Sequence, residues 1–409
     1  MPNYLAPGVY VEEVPAAVKP IAGVGTSTAG FIGIAGDLTA AWDPKTKTGM
    51  PVRANGETYT QATAGSIQQI TSWTDFTQKY GEIQATNQYL AHAVYGFFNN
   101  GGTRCYVARL AKTDDLTDGL ADVLEGFAAK DEIAIVAAPL PPDVEAAALN
   151  AVHAAVLAHC EGTEDRVAVL DSTCKITNDN LEVSSDATGI WRPASAKGYG
   201  AFYFPWIKVA DPLGKPGDQV AVPPSGHVAG IYARSDAQRG VHKAPANEMV
   251  LGALDLEYPI SKALQDALNP AGVNCIRSFG GTIKVYGARS LASDPQGDPE
   301  WTYISVRRLV NFLRESLDEG TQWVVFEPNA PELWSKIRRN VSAFLTTVWA
   351  SGALLGAAPE QAFYVRCDES TNPAEVRDLG RVVAEIGVAV VKPAEFVIFR
   401  LSQWAGASQ

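Results

Sequence analysis

Cysteine is scarce in this chain of 409 residues, and Cys105, Cys160, Cys174, Cys275 and Cys367 stand far apart with no CxxC pair. Neither a disulfide framework nor a thiolate metal site is signalled, and an odd count fits a reducing compartment in which each thiol is a small core side chain. Excess positive charge is lacking too. Lys and Arg number 33 against 45 Asp and Glu, a formal charge of -12. That balance disfavours a duplex-binding surface, because phosphate neutralisation needs a concentrated basic face. No run approaches the roughly 20 apolar residues of a membrane helix. The opening MPNYLAPGVYVEEV has no basic segment before an apolar core and does not read as a secretory signal.

Catalytic patterns are missing as well. His227, His242, Asp255, Glu257, Cys275 and Asp368 are the polar residues that suggest chemistry, yet no spacing gathers a nucleophile with a base and an orienting group. Ser225-Gly226-His227 lacks the GxSxG context, and His227, His242 and Glu248 lack HExxH spacing. Gly23–Gly36 has no Lys-Ser/Thr pair for phosphate and magnesium, and Asn99–Gly102 follows a helical pattern rather than a strand. Satisfied polar or capping roles are expected for the histidines. No enzymatic activity, metal or cofactor is expected.

What is present is the length for two to four domains and enough Gly and Pro, 36 and 25, for many turns. An alternating rhythm runs through the middle: helix at Leu116–Ala128, strand at Ile133–Ala137, helix at Val144–His159, strand at Arg166–Leu170. Apolar strands separated by helices of this length indicate a parallel sheet. The expected class is multidomain, α/β with α+β parts. Apolar spacing predicts helices at Tyr89–Phe98, Ser225–Arg234 (with Ser225 as cap), Ile304–Leu317 (stopped by Gly320) and Glu332–Ala350. A hairpin is expected about Gly280-Gly281, and strands at Trp323–Phe326, Ala362–Cys367 and Gly387–Val390. Residues 36–66 read as polar loop.

The ends are extended in character. Tyr4, Val9, Tyr10, Val11 and Val14 favour β structure, while Pro2, Pro7 and Pro15 confine the segment to an edge or strand end. Such a strand pairs either within its own chain or with a neighbour. Glu395–Leu401 alternates into a late strand. In an otherwise acidic chain, Arg307, Arg308, Arg314, Lys336, Arg338 and Arg339 cluster on the two long helices. They form either ordinary solvated faces or an ionic surface for an acidic partner.

Several of these segments resemble one family, the tail sheath proteins of contractile phages and contractile injection systems. The carriers are Pro7-Gly8-Val9-Tyr10, the stretch Tyr203-Phe204-Pro205-Trp206, the block PPSGHVAGIYARSDAQRGVHKAPANE at Pro223–Glu248, RRLVNFLRESLDEGTQWVVFEPN at Arg307–Asn329, and EIGVAVVKPAEFVIF at Glu385–Phe399. The resemblance implies a structural subunit, made in the bacterial cytoplasm. It stacks as hexameric rings around an inner tube, meets baseplate and terminal cap proteins, and drives the tube through a target envelope on contraction. Nucleic acid and direct membrane insertion are not implied. Carried over, 1–20 is an exchange arm, 21–208 forms outer domains with a polar insertion near 36–70, 209–391 is the inner sheath domain, and 392–409 is the second arm and tail. Strand exchange falls to Tyr4, Val9, Tyr10, Val11 and Val14 and to Phe396, Val397, Ile398 and Phe399. The six basic residues are the candidate tube contact, so charge reversal of Arg307 and Arg308 is expected to spare folding and weaken assembly.

Overall fold

The computed structural model describes residues 20–174, 176, 183–184, 190–293 and 299–398. The strands are β1 (Ala29–Ile34), β2 (Ile67–Ile70), β3 (Cys105–Leu110), β4 (Ile135–Ala137), β5 (Val167–Asp171), β6 (Val183–Ser184), β7 (Ile190–Trp191), β8 (Gly200–Phe204), β9 (Ile207–Ala210), β10 (Gln219–Val222), β11 (Glu248–Met249), β12 (Asp255–Leu256), β13 (Val273–Phe279), β14 (Thr282–Val285), β15 (Phe363–Arg366) and β16 (Glu385–Val388). The helices are α1 (Trp73–Tyr80), α2 (Gln88–Asn99), α3 (Asp118–Ala128), α4 (Ala146–Thr163), α5 (Ser225–Arg239), α6 (Lys262–Leu268), α7 (Ile304–Thr321), α8 (Pro331–Ala350), α9 (Pro359–Ala362) and α10 (Ala374–Asp378).

Nine strands form one sheet in the order β11-β14-β13-β8-β5-β4-β1-β3-β2. Its centre, from β13 to β3, is parallel, and antiparallel strands flank it on both sides. Period-two alternation sends Phe31, Val107, Val169 and Tyr203 into the layer under α1, α2 and α5. Their neighbours Ile32, Ala108, Leu170 and Phe202 face α3, α4 and α6. Burial on both faces explains why these strands read as continuous apolar runs. The parallel rhythm and the hairpin about Gly280-Gly281 are both present.

The expected division near residue 208 falls inside this body. β8 pairs in parallel with β13, so residues on either side of that boundary share one sheet and one core. A different unit has its own core: α7, α8, β15 and β16 enclose Leu309, Leu313, Trp334, Ile337, Val341, Phe344 and Leu345. Ile21 and Val241 join that cluster from the larger body.

Three local expectations are corrected. Gly320 does not stop α7, which runs to Thr321; a side chain at 320 would lie 2.6 Å from Ile21, so the glycine permits close approach. Trp323–Phe326 is not a strand but begins as a 3-10 turn at Gln322–Val324, since it follows α7 directly and no strand among the described residues pairs with it. Ser225 is the first residue of α5 rather than its side-chain cap. Its backbone N–H donates to Asp171 Oδ1 at 2.7 Å, so a carboxylate at the end of β5 closes the helix from 54 residues away.

Asp171 sits wholly inside, and burial pushes its pKa up to about 7 although the Ser225 amide acts in the opposite direction. In the unfolded chain the group titrates near the usual ~3.9. Between those values the folded protein holds a proton that the unfolded chain has lost, so stability falls as pH rises through this window and is flat above it. That displacement, from ~3.9 to about 7, corresponds to on the order of 4 kcal/mol. Asp171→Asn keeps an acceptor for Ser225 and does not titrate. Urea unfolding is expected to show the variant gaining stability relative to the parent between pH 5 and pH 8; a pH-independent difference would count against the assignment.

Candidate assembly interface

The basic cluster is divided by the fold. Arg307 and Arg308 are only 3% exposed each. Arg308 forms an ion pair with Asp236 of α5, lies 4.5 Å over the Tyr232 ring and donates to the carbonyl of Thr26 at 3.1 Å. Arg307 is stacked on Trp301 at 3.9 Å and Tyr199 at 4.5 Å. These two residues are therefore internal struts of the subunit, not a surface available to a tube. The reason is visible in α7: its buried face includes Ile304, Leu309 and Leu313, and both arginines lie on it beside them. Arg314 is exposed and paired with Glu164. Lys336 and Arg339 are exposed on α8, and Arg338 is half-buried, donating to the Cys367 carbonyl at 2.8 Å.

The smaller unit presents a sheet of two strands. β15 and β16 pair antiparallel, Phe363 opposite Val388 and Arg366 opposite Glu385, and among the described residues neither pairs with a further named strand. The continuation of β16 is bridged to Leu354 through Val390, and among the described residues no named strand covers the outer edge of β15 or of β16 itself. Beside β16 runs a groove of about 520 Å³, with one apolar wall of Leu317, Val324, Ile337, Val341, Val382 and Ile386 and a polar rim that includes Arg314, Glu315 and Asp318. A strand added here could place alternate apolar side chains into that groove while its backbone completes the ladder.

After β16 the chain stays on the small sheet through the Val390–Leu354 bridge, Lys392 Nζ donates to the Pro299 carbonyl at 3.1 Å, and the chain is then held most firmly at Glu395. Glu395 accepts from Arg289 Nε at 2.9 Å and Nη2 at 2.8 Å, from Tyr303 Oη at 2.9 Å and from Asn269 Nδ2 at 2.7 Å. Burial pushes its pKa up, but these donors prevail and hold it below the usual carboxylate range. Immediately beyond, Phe396, Val397 and Ile398 are 70, 70 and 77% exposed and belong to no strand. The expected late strand is thus unpaired over its described part, since no strand among the described residues pairs with it. Phe399 and the residues Tyr4, Val9, Tyr10, Val11 and Val14 lie outside the described residues. At the other end, Ile21 packs on Gly320, Gly23 lies against Phe312, and the Val24 N–H donates to Ser316 Oγ at 3.1 Å, so the segment entering from 20 runs along α7.

The residues considered for chemistry are dispersed. His227 is buried in α5 against Gly96 of α2, and burial lowers its pKa to about 3. Asp255 is exposed on β12, Glu257 pairs with Lys208 at 3.2 Å, and Cys275 is buried in β13. Asp368 accepts from Ser370 in a turn, and His242 lies beside Gly240. Among the described residues no group of three or more His, Cys, Asp or Glu is placed to hold a metal ion, and no helix is long and apolar enough to cross a membrane. The Glu395 cluster escaped the sequence reading, since its partners lie 92, 106 and 126 residues away. The one available signal was a lone acid before an apolar run.

A large α/β body, a small sheet with open edges and an exposed apolar tail define a multidomain chain whose most unusual features lie at its edges rather than in a pocket. Comparison with known proteins agrees with that description. Residues 111–291 match the phage tail sheath protein central domain, and residues 296–403 match the phage tail sheath C-terminal domain. The chain belongs to the contractile tail sheath protein family. The tail sheath protein of Vibrio phage KVP40 is 29% identical over 182 residues, and a putative prophage major tail sheath protein of Pseudomonas aeruginosa is 25% identical over 191. Each match takes in 44% of this chain, but only 25% of the Vibrio phage protein and 47% of the Pseudomonas one. Among solved structures, the helical sheath of the anti-feeding prophage in its contracted state superposes with a TM-score of 0.75 at 28% identity, covering 97% of this chain and 99% of that one.

Proposed function

We propose that this chain is the sheath subunit of a contractile particle, assembled in the bacterial cytoplasm, polymerising as stacked rings of six around an inner tube and shortening to drive that tube through a target envelope. The observation that carries the reading is the two-stranded sheet beside a groove with one apolar wall, on a subunit whose exposed Phe396–Ile398 pair with no strand among the described residues. In this reading the terminal arms of neighbouring copies, Tyr4–Val14 and Phe396–Phe399, add strands to β15 and β16. Main-chain ladders of this kind keep their geometry while the bodies they join rotate, so a polymer can change pitch without coming apart. The driving energy lies in differences between body-to-body contacts of the long and short lattices, summed over many copies. Lys336 and Arg339 on α8, with Arg314 and Arg338 nearby, are the cationic groups left to face an inner tube, while baseplate and cap proteins close the ends.

The test is negative-stain microscopy and sedimentation of the purified chain with and without residues 1–19, each mixed with tube protein. Striated tubes are expected from the full chain. Its shortened form is expected to remain a folded, dispersed subunit. Equal polymer from both would remove the N-terminal arm from the linkage.

A further inference from the structure

The tail crosses from one body of the subunit to the other in very few residues. The Val391 N–H still donates to the Ala353 carbonyl at 3.2 Å, as part of the smaller unit. Four residues later Glu395 is bound to the larger one, and four steps of chain span at most about 14 Å. Its three partners come from three places: Asn269 directly after α6, Arg289 after β14, and Tyr303 directly before α7. Arg289 is itself fixed, because its N–H donates to Asn274 Oδ1 at 2.7 Å and its carbonyl accepts from Asn274 Nδ2 at 2.8 Å. Asn274 is wholly buried in β13 of the nine-stranded sheet. The ion pair is well shielded, with 16 and 18% of the two side chains exposed. Charge-assisted, bidentate bonds of this kind are among the stronger polar contacts in proteins.

We propose that Glu395 is the root anchor of the C-terminal arm: the residue at which a pull on the arm by a neighbouring copy is handed to the nine-stranded body, and which sets the point and direction in which Phe396–Ile398 leave the subunit. This rests on the strand-exchange reading above. Without the anchor, tension would pass to the exposed Lys392–Pro299 contact and then to the short ladder of 389–391 and β16, in a small sheet with little independent stability. With it, the force path runs from Glu395 through Arg289 and Asn274 into β13, and the small sheet is left to bind strands. Glu395 is a positioning residue; the side chains that would enter the neighbour are those that follow it.

Three chains of otherwise native sequence test this: one ending at 395, Glu395→Gln, and Tyr303→Phe. Loss of a charge-assisted bond set predicts at least about a tenfold effect. In the unassembled Glu395→Gln chain, hydrogen exchange over 391–398 is expected to rise by that factor, with 273–285 unchanged. The concentration needed for polymer formation on tube protein is expected to rise likewise. Tyr303→Phe, which removes one bond and keeps the ion pair, should move both readouts in the same direction by less. If the chain ending at 395 polymerises normally, the strand-exchange reading fails and takes the anchor with it. If that chain does not polymerise while Glu395→Gln assembles at the parental concentration with unchanged exchange, the arm stands and the anchor is overturned. Faster exchange across 273–285 as well would reduce Glu395 to a general stabiliser and also overturn it.

Discussion

Arg308→Ala is expected to destabilise the folded subunit by about 3–5 kcal/mol, a large share of the total stability of a domain. The side chain joins three separate parts of the chain: the segment entering at Thr26, α5 through Asp236 and Tyr232, and α7 on which it resides. Asp236 also accepts from Thr26 Oγ1 at 2.6 Å, and Tyr232 shares a hydrogen bond of 2.7 Å with Tyr203 of β8. Removing the guanidinium leaves a carboxylate that is only 7% exposed without its counter-charge, and that uncompensated ion is the main cost. Arg308→Glu should be worse, since it places two carboxylates together. Pairing Arg308→Met with Asp236→Leu removes both charges, so the double variant should be less destabilised than Arg308→Ala alone. Urea unfolding of the set measures the coupling. A folded, fully stable Arg308→Glu subunit would mean that the network contributes nothing.

The second large effect is at the other end of the molecule and should leave folding untouched. Val397→Asp is expected to raise the concentration required for polymer formation by at least about 100-fold, equivalent to roughly 2.7 kcal/mol at each linkage. Val397 is 70% exposed in the isolated subunit, so an aspartate there is fully solvated and the monomer's unfolding curve should match the parent's. In a groove walled by Ile337, Val341 and Ile386, the same carboxylate loses its water, and the lining cation Arg314 is already paired with Glu164. Sedimentation across a concentration series reads the shift. Parental assembly by the variant would show that Val397 does not enter a neighbour.

The contrast between these two variants follows from what a linear sequence displays. Continuous apolar runs such as AGFIGI and VAVLD announce strands buried on both faces, because the alternation of neighbours into two layers is a local property. The amphipathic spacing of α7 and α8 is local in the same way. Charge by itself is not. Arg307 and Arg308 look as solvated as Lys336 and Arg339 in a string of letters, and only the placement of Tyr199, Trp301, Tyr232 and Asp236 against α7 turns the first pair inward. Likewise the Gly-rich start of α5 is a helix, and the absence of side chains at Gly226 and Gly230 is explained by α2: a Cβ at Gly226 would stand 2.3 Å from Ala93, and one at Gly230 would meet the Phe97 carbonyl at 2.4 Å.

By itself, then, the sequence determined most of the element types, the parallel centre of the sheet and a family resemblance spread along the chain, all of which depend on residues near one another or on whole motifs. Tertiary structure alone decided where the bodies divide, which arginines are struts, that Asp171 closes α5, and that Glu395 is held by Asn269, Arg289 and Tyr303. Those outcomes rest on hydrogen bonds and ion pairs between groups far apart along the chain, whose energies depend on distance and burial and leave no spacing in the sequence to be read.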